Sequence, residues 1–172
     1  MPSLLSGADS VSCLRAGCVR QYQVSATSTP VNAGPQQHYV AQAALSHLAR
    51  WAAEGVAPPG APRLDLDDAG TGFRLDAHGN ATGGIRTPWV EAPTAVLSGL
   101  GQSGESFAML FGRTDPFDEA VLAALYPGGA ADQLARFEAS LDAAIGAGFV
   151  LAEDRAEILE VAAASFPLVV AD

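Results

Sequence analysis

Glycine and proline interrupt the middle of this chain so often that no long helix or strand can run through it. Residues 83–99, GGIRTPWVEAPTAVLSG, contain two prolines and have glycine at both ends, and residues 55–62 read GVAPPGAP. Proline fixes φ and lacks a donor N–H, so it ends helices and central strands, and glycine marks turns. Any long elements must therefore lie before residue 55 or after residue 104.

A long helix is predicted before this interruption, over Gln36–Glu54. Its apolar residues recur at helical spacing, and Gly55 supplies the stop signal. The face expected to be buried consists of Val40, Ala44, Leu48, Trp51 and Ala52.

Three more helices are predicted after the interruption, over residues 116–126, 131–146 and 153–165. Asp115 is expected to cap the first, with Pro116 in its first turn. The residues expected to face the core are Leu122, Leu125, Tyr126, Leu134, Phe137, Leu141, Ala144, Ile145, Ile158, Val161 and Ala162.

Only short strands and loop are expected between the helices, over residues 64–111. Phe73 and Leu75 precede DAHGN, a turn sequence followed by Ile85, which favours a small hairpin. The apolar run SFAMLF, residues 106–111, is predicted to be a buried strand. The predicted fold class is α+β, mainly helical with a few short strands, with an irregular segment over residues 1–35 and the folded part over 36–172.

The charge of the chain excludes some classes of partner. The formal net charge is −10, and all nine basic residues are arginine. Nucleic acid and anionic membrane surfaces require clustered positive charge, so neither is expected as a partner. No apolar run has the length of a membrane helix or a signal peptide. A cytoplasmic location is the default expectation.

No metal or other cofactor is predicted. Cys13 and Cys18 have no second cysteine pair and no nearby histidine to complete a zinc site, which leaves free thiols or a local disulfide. Positions one, three, six and twelve of a calcium-loop pattern are Asp65, Asp67, Gly70 and Asp76. Position five is alanine and no helix leads in, so an acidic turn is expected instead.

The sequence contains no complete nucleophile motif. A hydrolase elbow reads G-x-S-x-G, whereas Ser103 is followed two residues later by Glu105, and Ser98 has Val96 in the first glycine position. Structural roles are expected for the three histidines, which are His38, His47 and His78. The alternative is a hydrolase site formed by His38 and Ser103. No catalytic residue is predicted.

Two residues of the interrupted middle are candidates for contact with a substrate. Arg86 and Trp89 are the large polar and aromatic side chains of segment 83–99 and could line a pocket. The alternative is structural: Arg86 would pair with an acid, and Trp89 would fill the gap between this segment and the helices.

Several stretches resemble one known family, in one order along residues 31–165. They include DAHGNATGGIRTPWVEAPTAVLSG, FAMLFGRTDPFDEAVLAALYP and AAIGAGFVLAEDRAEILEVAAAS. Together they resemble the C-terminal region of a bacterial, esterase-like alpha/beta hydrolase domain family. The resemblance implies a hydrolase-type protein in which most of the central sheet lies upstream.

The resemblance also implies where catalysis takes place. In that family the elbow serine and the catalytic histidine are expected before residue 36, and residues 1–35 contain neither. We therefore expect this chain to be the tail of a longer ester or acyl hydrolase, inactive alone. Its partner would be the missing N-terminal half or a second copy. The alternative is a stand-alone, non-catalytic interaction module.

Overall fold

The computed structural model describes residue 30, residues 34–104 and residues 107–170, with side chains to residue 165. The predictions for the N-terminal segment, including Cys13 and Cys18, therefore lie outside the described residues. The α-helices are α1 (Gln36–Glu54), α2 (Pro88–Glu91), α3 (Glu119–Leu125), α4 (Ala130–Gly146) and α5 (Arg155–Val170). The strands are β1 (Ala95–Ser98) and β2 (Arg113–Pro116), and short 3-10 helices cover Ala108–Leu110 and Ala152–Asp154.

The core lies where α4 packs against α5 and against the short helix α2. Leu141 and Ile158 are fully buried in it, and Phe137 is almost so. These residues recur at helical spacing on α4 and α5, which directs one side of each helix inward. The remaining buried members of this cluster are Tyr39, Ala92, Ala144, Val150 and Ala162.

The contacts of α1 with this core correct the predicted face of that helix. Tyr39 and Ala43 are its buried residues, whereas Leu48 and Trp51 are exposed. The His47 Nε2 atom lies 2.8 Å from the carbonyl oxygen of Gly148, which ties the helix to the loop after α4. The predicted apolar residues do lie on one side of α1, but the helix packs against its described neighbours through a different side.

Two element assignments between residues 106 and 126 were also wrong. The helix α3 begins at Glu119, because the Asp118 carboxylate accepts a hydrogen bond of 2.8 Å from the Val121 N–H and caps it. The residues around Asp115 instead form β2, which pairs antiparallel with β1. The predicted buried strand in SFAMLF contains instead a 3-10 turn, Ala108–Leu110, in which Ala108 is buried and Met109 and Leu110 are exposed.

The middle of the chain is organised by isolated antiparallel bridges. They join Leu66 to Phe73, Leu75 to Ala81, and Leu64 to Gly83. Ala81, and not Ile85, is thus the partner of Leu75. Gly83 has φ of +72°, and a Cβ atom there would collide with the Arg63 carbonyl oxygen, so this crossing requires glycine.

The α+β, mainly helical fold class is confirmed. Within the described residues the one regular sheet has two strands, β1 and β2, and helices form most of the regular structure. None of the helices in that part of the chain is both long enough and apolar enough to cross a bilayer.

Candidate functional site

Segment 83–99 is held by Thr87 to the first residue of α1, Gln36. The Thr87 hydroxyl donates a hydrogen bond of 2.8 Å to the Gln36 side-chain oxygen, which joins two positions 51 residues apart in the chain. Pro88 then occupies the first position of α2, where its missing N–H costs nothing. The irregular sequence thus has a fixed shape, and Arg86 and Trp89 lie on either side of this anchor.

Arg86 is engaged by three groups. Its Nε donates to Glu91, its Nη1 to the Ala81 carbonyl oxygen at 2.7 Å, and its Nη2 to the Asp76 carboxylate at 3.1 Å. Partial burial lowers the pKa of Arg86, but the hydrogen bonds that it donates to Glu91 and Asp76 outweigh this effect and raise the pKa. The guanidinium therefore joins the last residue of α2, Glu91, to the turn at residues 76–80.

The same turn is ordered by the Asp76 carboxylate. Its Oδ1 accepts the backbone N–H groups of His78 at 2.9 Å and Asn80 at 3.0 Å. Burial alone would raise the pKa of Asp76, but these hydrogen bonds and the Arg86 guanidinium hold it below its ordinary value. Asp76, placed in the calcium-loop pattern by its sequence, instead organises a turn. Groups of three or more potential metal ligands do not occur in the described part of the chain.

Trp89 lies between two aromatic rings of the core. It stacks on Tyr39 with the ring centroids 5.8 Å apart and the planes at 6°, and it meets Phe137 edge-on at 5.2 Å. Edge-on and offset arrangements of this kind stabilise aromatic pairs beyond simple burial. Trp89 therefore joins segment 83–99 to α1 and α4.

A small cleft opens beside Trp89, between α2, α4 and α5. Its cavity volume is about 30 Å³, enough for one or two water molecules. Trp89, Phe137, Ala92 and Ala162 provide apolar walls. The polar lining residues are Thr94, Gln133 and Ser165.

Gln133 is the polar residue most deeply buried in this cleft, at 4% exposure. Its Nε2 donates to the Ala92 carbonyl oxygen at 3.2 Å, which fixes the orientation of the amide. Its Oε1 is buried and has no hydrogen-bond partner among the residues that the structure describes. Neither Gln133 nor the cleft was anticipated from the sequence, because a lone glutamine inside a helical pattern gives no signal of its own.

A group of ionisable residues lies where α1 and α5 begin. The Tyr39 hydroxyl donates to Glu157 at 3.2 Å. Burial, reinforced by the charge of Glu157, raises the pKa of Tyr39 to about 12. Burial also raises the pKa of Asp154, aided by Glu153 and Glu157 and opposed by His38.

The histidines and Ser103 have different surroundings. His38 packs edge-on against Tyr39 at 5.2 Å, and His78 lies 6.1 Å from the Phe117 ring. Ser103 lies in the loop before β2, where its N–H donates to the Gln102 side chain. The contacts described for His38 and Ser103 thus involve separate sets of neighbours.

Comparison with known proteins gives one finding. Curated proteins and solved structures provide no match to this chain. Residues 7–160, most of the chain, match the sequence profile of a family described as "Alpha/beta hydrolase domain". The resemblance carried by segment 83–99 and the helices after it is therefore confirmed at the level of the family. The chain belongs to the alpha/beta hydrolase domain family.

Proposed function

We propose that this chain is the C-terminal part of an alpha/beta hydrolase domain that cleaves an ester or acyl bond, with the nucleophile and catalytic histidine outside it. Membership of the family supports the hydrolase reaction class. The observation that carries the proposal is the lack of a G-x-S-x-G elbow anywhere in the 172 residues.

Acyl transfer requires a nucleophile, a base within hydrogen-bonding reach and donors for the oxyanion. The three histidines have other neighbours: His47 contacts the Gly148 carbonyl oxygen, His38 packs on Tyr39, and His78 lies near Phe117. These surroundings favour structural roles, so the proposal places general base catalysis elsewhere in the enzyme.

In the intact enzyme this part would supply a core helix, a covering segment and a helical cap. Segment 83–99 would be the covering segment, shaped by the Thr87 and Arg86 hydrogen bonds. Arg86 and Trp89 are the residues that we propose lie against the substrate, and Trp89 also lines the cleft.

Hydrolysis of p-nitrophenyl esters by the purified 172-residue chain tests this proposal. We expect the release of p-nitrophenol to equal the rate in buffer, and Ser103→Ala to leave that rate unchanged. Hydrolysis by the wild-type chain that Ser103→Ala abolishes would show that the nucleophile lies within the chain, contrary to the proposal.

A second candidate, a stand-alone interaction module, is favoured by exposed apolar side chains. Three apolar side chains of α1 are each more than half exposed: Leu45, Leu48 and Trp51. The exposed fraction is larger still for Phe107, Met109 and Leu110. Contiguous apolar patches mark interaction sites.

Sedimentation velocity of the wild-type chain should show self-association. Leu48→Gln should weaken this self-association, whereas Val121→Gln, on α3, should leave it unchanged. A monodisperse wild-type monomer with a sharp melting transition would count against any need for a partner.

A further inference from the structure

Residues 56–62, VAPPGAP, follow α1 and are all exposed; we call them the proline strip. Proline fixes φ at about −65° at Pro58, Pro59 and Pro62. A residue that precedes a proline is in turn confined to extended conformations. These two effects act on most residues of the strip and favour polyproline II backbone.

The hydrogen bonding of the proline strip agrees with this conformation. Within the described part of the chain, residues 56–62 neither donate nor accept a backbone hydrogen bond. A polyproline II helix has no internal hydrogen bonds, and its backbone is open to solvent. The strip therefore presents both its proline rings and its carbonyl oxygens at the surface.

The proline strip is held at both ends and close to its centre. The N–H of Gly55, just before it, closes the end of α1 with a hydrogen bond of 2.9 Å. The carbonyl oxygen of Arg63, just after it, accepts the N–H of Gly84 at 3.0 Å. A Cβ atom at Gly148 would lie 3.2 Å from Pro59, so the strip also rests on the loop after α4. A segment that is already fixed loses little conformational entropy on binding.

The side chains of the proline strip have the spacing of a polyproline ligand. Pro59 and Pro62 are three residues apart, and each follows an apolar residue, Pro58 or Ala61. Segments with this P-x-x-P pattern dock in grooves lined by aromatic rings. Arg63, the next residue, is exposed and forms no ion pair with the described residues. Its charge is therefore available to a carboxylate beside such a groove.

We propose that the proline strip is a docking site for a protein domain that binds polyproline II ligands between aromatic rings and has a carboxylate to pair with Arg63. The net charge of this chain is −10, so a strongly acidic domain would be repelled by the rest of the molecule. The partner domain is therefore neutral or basic outside its groove. This inference does not depend on hydrolase activity.

An isolated SH3 domain is the probe, because its groove is lined by aromatic rings. It is added to the isotope-labelled 172-residue chain, and binding is followed by NMR. We expect saturable shifts of the N–H signals of Val56, Ala57, Gly60, Ala61 and Arg63, with a dissociation constant below about 1 mM. Absence of saturable shifts in the strip, or shifts that lie mainly elsewhere in the chain, would mean that it is a rigid connection and would overturn the proposal.

Three variants complete the test. The double variant Pro59→Ala, Pro62→Ala should abolish the saturable shifts, whereas Pro127→Ala, at an exposed proline after α3, should bind as wild type does. Arg63→Gln should weaken binding about threefold, the effect of an exposed ion pair. Wild-type affinity in the double variant would contradict the proposal. If the double variant does not fold, the wild-type titration and Arg63→Gln still decide the matter.

Discussion

At the scale of single residues, the side chains singled out in segment 83–99 are also those that hold it in place. Arg86 joins α2 to the turn at Asp76, and Trp89 joins α2 to Tyr39 and Phe137. Contact with a substrate and a structural role are compatible, because a binding surface needs rigid support. The structural part of this account can be measured directly.

The chain contains two tryptophans, which form a matched pair for mutation. Trp89→Ala removes a ring packed in the core and should lower the free energy of unfolding by about 3 kcal/mol. Trp51→Ala, at a side chain 51% exposed, should change it by about 0.5 kcal/mol or less. Urea unfolding followed by circular dichroism measures both changes. Equal losses would mean that Trp89 does not anchor the segment.

The raised pKa of Tyr39 predicts that the folded chain loses stability at alkaline pH. Burial raises its pKa from 10.0 to about 12 in the folded chain, so the folded state holds this proton more tightly than the unfolded state. The resulting contribution to stability is fully present below about pH 10 and is lost as the pH rises towards 12. The free energy of unfolding should therefore fall across this interval.

Tyr39→Phe is the control, because phenylalanine cannot ionise. This variant should lose less stability than the wild type between pH 10 and 12. A residual loss is expected, since burial also raises the pKa of Tyr126 to about 12. If wild type and Tyr39→Phe lose the same free energy across the interval, burial of Tyr39 is not the cause.

At the scale of elements, the sequence predicted the periodic helices well and the irregular connections poorly. The bounds of α1 and the inward faces of α4 and α5 follow from spacing, because Phe137, Leu141 and Ile158 recur with the helical period. The start of α3 does not follow from spacing, because Asp115 and Asp118 are both residues of a type that can cap a helix. Pairing of residues 113–116 with β1, a contact between distant segments, decides between them.

The face of α1 illustrates a different limit. Hydrophobic periodicity identifies an apolar stripe, but it does not identify which neighbour covers it. In the structure Tyr39 and Ala43 are buried while Leu48 and Trp51 are exposed. Likewise, the Arg86 ion pairs follow chemically from nearby acids, whereas the Gln133 cleft depends on how three helices meet and could not be predicted from the sequence.

The loop between α4 and α5 provides the test at this scale. Gly148 has φ of +79°, and a Cβ atom there would lie 3.2 Å from Pro59 and 3.3 Å from the His47 ring. Gly148→Ala should therefore lower the free energy of unfolding by about 1 kcal/mol or more. Gly146→Ala, in the last turn of α4 with open space around it, should be neutral or stabilising by up to about 1 kcal/mol.

Thermal melts of the two variants provide the comparison. A higher melting temperature for Gly148→Ala than for Gly146→Ala would show that the left-handed conformation at residue 148 is not required. It would also contradict the role of the His47 contact in attaching α1 to this loop.

At the scale of the whole molecule, membership of the alpha/beta hydrolase domain family contrasts with the architecture of the described residues. Their regular sheet has two strands, and apolar side chains of α1 face outward. Hydrolases of this type place the elbow serine between a strand and a helix of a larger sheet. Both features are accounted for if the remainder of the domain covers α1 and carries the nucleophile.

The intact mass of the native protein, captured from its source cells with an antibody against α4 and α5, tests this account most directly. We expect a mass well above 17.5 kDa, with an elbow serine in the additional sequence. A native mass of 17.5 kDa would contradict the proposal that this chain is one part of a longer hydrolase.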